Sequence, residues 1–114
     1  MISKIHRFHG LGSLNYAYRR GLSIRGQYFG IRTVKNRQNS YRVAVVVSKK
    51  VAKSAPKRNR IRRRVYEAIR LTAPKYLTNQ DVIINIYDDK FLELPFTEIV
   101  RSVELQLNEV ARVN

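Results

Sequence analysis

The chain has 114 residues, 44% of them hydrophobic, with seven Tyr and four Phe, enough apolar material for one folded domain and too much for a disordered one. It has no Cys, which excludes disulfides, thiol nucleophiles and thiolate metal sites. Its net charge is +15 and uneven: residues 1–66 hold 18 Lys or Arg and no acid, whereas residues 67–114 hold five Lys or Arg and eight acids. A basic half joined to a mildly acidic half predicts one surface facing a polyanion and one ordinary surface. No apolar run approaches the roughly 20 residues of a membrane span. The opening MISKIHRFHGLG has no signal-peptide core. The expectation is a cytoplasmic protein with no membrane contact.

In chain order, residues 1–12 read as a basic lead-in; His6 and His9, with no Cys or acid nearby, make a poor metal site. Ser13 to Arg20 predicts a short helix, capped by Ser13 and stopped by Gly21. Gly26 to Lys35 predicts a strand, with Gly30 marking a bulge or a close backbone approach. Asn36 to Ser40 is a turn, and Tyr41 to Ser48 a second strand, read as the antiparallel partner of the first. A long helix follows from about Lys57 to Thr72, with Pro56 before it and Pro74 ending it. Asp81 to Tyr87 is a further strand, Asp88 and Asp89 a turn, and Leu94 to Thr97 opens a last helix with apolar positions Phe96, Ile99, Val100, Val103, Leu107 and Val110. The order is α-β-β-α-β-α, an α+β sandwich of helices on one mainly antiparallel sheet, in a single domain spanning 1–114.

The stretch Lys49 to Arg70 carries ten Lys or Arg and one acid, Glu67. Wound as a helix, it places Ile61, Val65, Ala68, Ile69 and Thr72 in one sector and Asn59, Arg60, Arg63, Arg64, Glu67 and Arg70 opposite. One side is built to pack. The other carries a positive field that repels itself unless a polyanion is present. Tyr16, Tyr18, Tyr28, Phe29 and Tyr66 lie near basic residues, a mixture that suits unpaired bases and favours RNA or single strands over duplex DNA.

Protein-borne hydrolysis needs converging carboxylates or a His. Asp88 and Asp89 are consecutive and do not converge readily, and Glu67 lies one turn from Arg63, Arg64 and Arg70, where charge pairing is its default role. No catalytic residue and no metal ligand is assigned to the chain. The expectation is a binding module.

The residues Ser48, Lys49 and Lys50, followed by Arg58, Asn59, Arg60, Ile61, Arg62 and Arg63, resemble the strand end and Arg-Asn-Arg helix of the bacterial ribonuclease P protein subunit family. SLNYAYRRGLSIRGQYFGIRTV resembles that family's first helix and strand, and DVIINIYDDKFLELPFTEIVRSVELQL its last strand and helix. The resemblance implies a left-handed β-α-β crossover at the basic helix. It implies a non-catalytic protein that assists a catalytic RNA in removing the 5′ leader of precursor tRNA, with Mg²⁺ held mainly by the RNA subunit and substrate, and no obligate protein partner. It assigns Lys49, Lys50, Arg58, Asn59, Arg60, Arg62 and Arg63 to the RNA subunit, and Leu14, Tyr18, Arg32 and Ser48 to a leader-binding cleft between the sheet and the first helix. The chain departs from the family pattern at Leu14 (often Phe), Arg32 (where a Tyr can line the cleft), Arg64 (usually apolar) and Tyr66 (usually Arg). A structural rRNA-binding protein of ribosomal type fits the charge and size equally, and a self-sufficient nuclease would have to rely on Asp88 and Asp89.

Overall fold

The computed structural model describes residues 11–37 and 39–113, with side chains from residue 16 onward. The elements are α1 (Leu11–Arg20), β1 (Leu22–Arg25), β2 (Phe29–Lys35), β3 (Arg42–Val47), α2 (Ala55–Tyr76), β4 (Gln80–Ile86), a 3-10 turn (Asp89–Leu92) and α3 (Phe96–Val113). His6 and His9 lie outside the described residues. No helix among the described residues is long and apolar enough to cross a membrane.

The strands form one mixed sheet in the order β1-β2-β4-β3. β2 pairs antiparallel with both β1 and β4, and β3 pairs parallel with β4. The α+β class is as expected, but the pairing of the two strands flanking residues 36–41 is not. They are separated by β4. Local turn chemistry at Asn36 to Ser40 suggested a hairpin, whereas burial decides the centre of the sheet. β4 is buried at six of its seven positions and so takes an interior place. The connection instead crosses the start of β4 and is pinned there: Asn36 N–H donates to the Asn79 carbonyl (2.7 Å) and Asn36 Nδ2 to Asp81 Oδ1 (2.8 Å).

β1 adds a strand to the expected order. It is four residues long and forms a tight hairpin with β2, closed by Gly26 N–H to the Phe29 carbonyl at 2.9 Å. α1 begins at Leu11, so Ser13 lies within the helix and does not cap it. Gly21 ends α1 by donating its N–H to the Ala17 carbonyl. α2 is longer than expected at both ends. Ser54 caps it, Pro56 sits in the first turn where its missing N–H costs nothing, and Pro74 falls in the last turn. Asp88 does turn the chain, by capping the 3-10 segment.

One face of the sheet carries the core. Phe29 and Ile31 of β2, Val43, Val45 and Val47 of β3, and Val82, Ile84 and Ile86 of β4 alternate onto this side. They meet Ile61, Val65, Ala68 and Ile69 of α2 and Ile99, Val103, Leu107 and Val110 of α3. Phe91 closes the end of this core, edge-on to Tyr28 with centroids 5.8 Å apart. The opposite face is only partly covered. α1 lays Ala17 on Ala44 and Ile83, and among the described residues Arg25, Val46 and Tyr87 of that face stay exposed.

Candidate nucleic-acid interface

β3 and β4 are parallel, so the loop after β3, the start of α2 and the end of β4 gather at one end of the sheet. Ser48, Lys49, Lys50, Lys53, Lys57, Asn59, Arg60 and Arg63 are all exposed there. Among the described residues, Lys49, Lys50, Lys53, Lys57, Arg60 and Arg63 have no acidic partner. Pro56, Lys57, Arg60 and Arg63 with Leu92 line a shallow recess of about 420 Å³. Glu67 is held below the usual carboxylate range by the Arg70 guanidinium, which donates to Oε1 at 3.0 and 2.5 Å. The one acid of the basic stretch is therefore neutralised one turn beyond the free cations.

Other Arg residues of α2 are committed to the protein. Arg58 Nη1 donates to the carbonyls of Ala52 (2.9 Å) and Lys53 (2.8 Å), tying the basic loop to the helix. Arg62 donates to Asn59 Oδ1 at 2.5 Å, which orients the Asn. Arg64 reaches sideways, Nη1 to the Phe91 carbonyl (2.5 Å) and Nη2 to the Leu94 carbonyl (2.6 Å). On the other flank the Tyr66 hydroxyl accepts the N–H of Val45 at 3.1 Å, occupying the outer edge of β3. Arg64 and Tyr66 thus hold the helix in place, and Arg64 is not part of the exposed basic face.

The open face of the sheet forms a second surface. The register brings Arg25 of β1, Gly30 of β2, Asn85 of β4 and Val46 of β3 into one row across the strands. Tyr87 follows on the same side as Asn85. Gly30 leaves room for it as placed: a Cβ there would come to 2.0 Å from the Tyr87 hydroxyl. The Arg25 guanidinium lies over the Tyr87 ring, 4.8 Å from its centroid. Along the wall, the Tyr18 hydroxyl donates to Asn85 Oδ1 at 2.9 Å. Arg32 donates to Ser23 Oγ (2.6 Å) and to the Tyr18 carbonyl, and its guanidinium sits 6.0 Å from the Tyr18 ring centroid. The result is a trough with α1 on one side and a floor of one aromatic, one amide and one valine.

Tyr18 and Arg32 meet on this face. Ser48 stands at the end of β3, where its carbonyl accepts the N–H groups of Val51 and Ala52. The side chain of Leu14 lies outside the described residues. Arg25, Val46, Asn85 and Tyr87 were not singled out from sequence. Alternation along β4 sets Asn85 and Tyr87 opposite the buried Ile84 and Ile86, but only the sheet order shows how little of this face the described residues cover. Asp88 accepts from Lys90 N–H at 3.0 Å as a helix cap. No group of three His, Cys, Asp or Glu that could hold a metal occurs among the described residues.

A family model described as Ribonuclease P matches residues 3–111. The ribonuclease P protein component of an Exiguobacterium species is 34% identical over 83 residues, covering 73% of this chain and 72% of that protein. That of Chloroflexus aurantiacus is 34% identical over 73 residues, 64% of this chain, and there the match spans only about half (53%) of the relative's length. Two solved structures share the fold. The RNase P protein of Staphylococcus aureus has a TM-score of 0.79 at 24% identity, covering 95% of this chain and 96% of that one. The RNase P protein of Thermotoga maritima has a TM-score of 0.82 at 21% identity, covering 90% and 96%.

Proposed function

Because the chain belongs to the ribonuclease P protein family, we propose that it is the protein subunit of a ribonucleoprotein that removes the 5′ leader from precursor tRNA in the cytoplasm. The observation that carries this reading is the pairing of two surfaces at one end of the sheet. One is a basic loop and helix whose exposed cations lack acidic partners among the described residues. The other is an uncovered trough of aromatic and polar side chains.

The first surface suits a folded RNA subunit, through Lys49, Lys50, Arg60 and Arg63 to phosphates and through the exposed Asn59, whose Oδ1 is held by Arg62. Arg58 acts through the loop it fastens. The second suits an extended single strand, since strand backbones and flat side chains leave room for splayed bases. Tyr18 and Arg32 line it, and Ser48 and Leu14 stand at its ends in the family pattern.

Mg²⁺, which the reaction of this family requires, does not fit a site on the described part of the chain, where no three ligands converge. The chain's contribution is electrostatic and positional: it lowers the repulsion between two polyanions and holds the leader in line. The test is reconstitution of precursor-tRNA cleavage with the RNA subunit from the same organism, at low Mg²⁺, with and without the chain. Faster cleavage or tighter substrate binding is expected. A chain that changes neither, or that co-purifies with ribosomal subunits instead, refutes the proposal.

A further inference from the structure

Tyr87 is an exposed large aromatic (45%), and three features surround it. Gly30, the second residue of β2, leaves the space that the Tyr87 hydroxyl occupies: a Cβ there would meet it at 2.0 Å. Arg25 comes from a strand 62 residues earlier in the chain and puts its guanidinium over the ring. Beside the ring, Asn85 has its Oδ1 occupied by the Tyr18 hydroxyl, while its Nδ2 has no partner among the described residues. A stacked aromatic and guanidinium with a fixed amide donor next to them is the chemistry that holds an unpaired nucleobase: one surface for its π-face, one donor for its edge, one charge for its phosphate.

We propose that Tyr87, supported on Gly30 and stacked by Arg25, is the platform for one particular unpaired base of the bound strand, and that Asn85 donates to that base's edge. The inference rests on the reading of the open face as the leader groove. It goes further by assigning a single-nucleotide site to residues outside the family motif. It also assigns a preference: a fixed donor at Asn85 favours a base edge presenting an acceptor and disfavours one presenting a donor.

The experiment uses the reconstituted ribonucleoprotein and precursor tRNAs in which each leader nucleotide in turn is abasic. With the unmodified chain, one position is expected to weaken binding by about 5- to 100-fold, the usual worth of a base–aromatic stack. In Tyr87→Leu the intact leader binds weaker by a comparable factor, and the abasic penalty at that position disappears. Tyr87→Phe keeps both the affinity and the penalty. Thermal melting of each variant separates loss of the platform from loss of the fold. An abasic penalty of the same size in Tyr87→Leu overturns the platform while leaving the leader groove standing. Equal binding of precursor and leaderless tRNA by the unmodified complex overturns both.

Discussion

Arg58 and Arg60 carry the same charge two residues apart, yet the geometry gives their removal opposite consequences. At 100° per residue, Arg58 falls in the sector of Ile61 and Val65, and its guanidinium bonds two loop carbonyls at 2.9 and 2.8 Å. Arg58→Ala strands both acceptors. A hydrogen bond to a charged donor is worth about 1.5–3 kcal/mol, and with water able to reach the half-buried loop the expected loss for the pair is about 1–2 kcal/mol. For a domain of this length that lowers Tm by roughly 4–8 °C. Arg60 is exposed and has no acidic partner among the described residues, so Arg60→Ala should stay within about 0.5 kcal/mol of the parent. Its effect belongs in RNA binding, where each lost phosphate contact lowers the slope of log K against log salt by about 0.7–0.9. Circular-dichroism melts and filter binding of the RNA subunit across a salt series measure the two quantities separately. Arg58→Lys restores the charge without the two-carbonyl geometry, and should melt closer to Arg58→Ala than to the parent. The reasoning fails if Arg60→Ala melts several degrees early with its salt slope intact, or if Arg58→Ala melts like the parent.

Asp81 is buried and accepts a bidentate pair from Arg42 (2.8 and 2.6 Å) along with Asn36 Nδ2, contacts that also push the Arg42 guanidinium pKa up. Asp81→Asn leaves a largely buried cation without its counter-charge. It should cost about 2–3 kcal/mol in urea unfolding, below the 3–5 of a fully buried pair because Arg42 is partly wet. Gly21→Ala would put a Cβ 2.4 Å from the Ala17 carbonyl oxygen and 2.9 Å from that of Thr33, both backbone atoms. Overpacking of that kind costs about 1–3 kcal/mol, and the same melts should show it with RNA-subunit affinity retained once folded. Tyr66→Phe removes the acceptor for Val45 N–H and should cost about 1 kcal/mol; unchanged stability would mean that water replaces the hydroxyl at the strand edge.

Periodicity made the two long helices legible, because a helix face is a local property of the sequence. All five residues assigned to the packing sector of α2 are buried, and so are Ile99, Val103, Leu107 and Val110 of α3. Strand order is not local. A short turn-like segment between two β-patterned runs looks the same whether the runs pair or a later strand slides between them, and only the burial of β4 decides. The basic face was legible as a charge excess, but not which guanidinium groups were free. The signal for Arg58 was present, since it lies three residues before Ile61 and seven before Val65, a packing position at the end of the core. For Arg64, whose acceptors lie 27 and 30 residues away, no such signal existed. The resemblance implied a cleft beside α1 with Tyr18 and Arg32 in it, but its floor was not legible, because Arg25, Gly30, Val46 and Asn85 meet only through the register of four strands.

Arg64 and Tyr66 also explain why the exposed face of α2 points where it does. They flank the buried sector on opposite sides, one bonded to the turn before α3 and the other to the edge of β3. Turning the helix about its axis by one residue would break both sets of bonds and drive Arg58 from its two carbonyls. Arg60 and Arg63 are therefore presented in a fixed direction without any contact of their own to the core. β3 links this face to the trough: its Val45 N–H is held by Tyr66, its next residue Val46 lies on the open face, and Ser48 begins the basic loop. One strand, β3, therefore carries part of both surfaces, and the fold sets their relative placement.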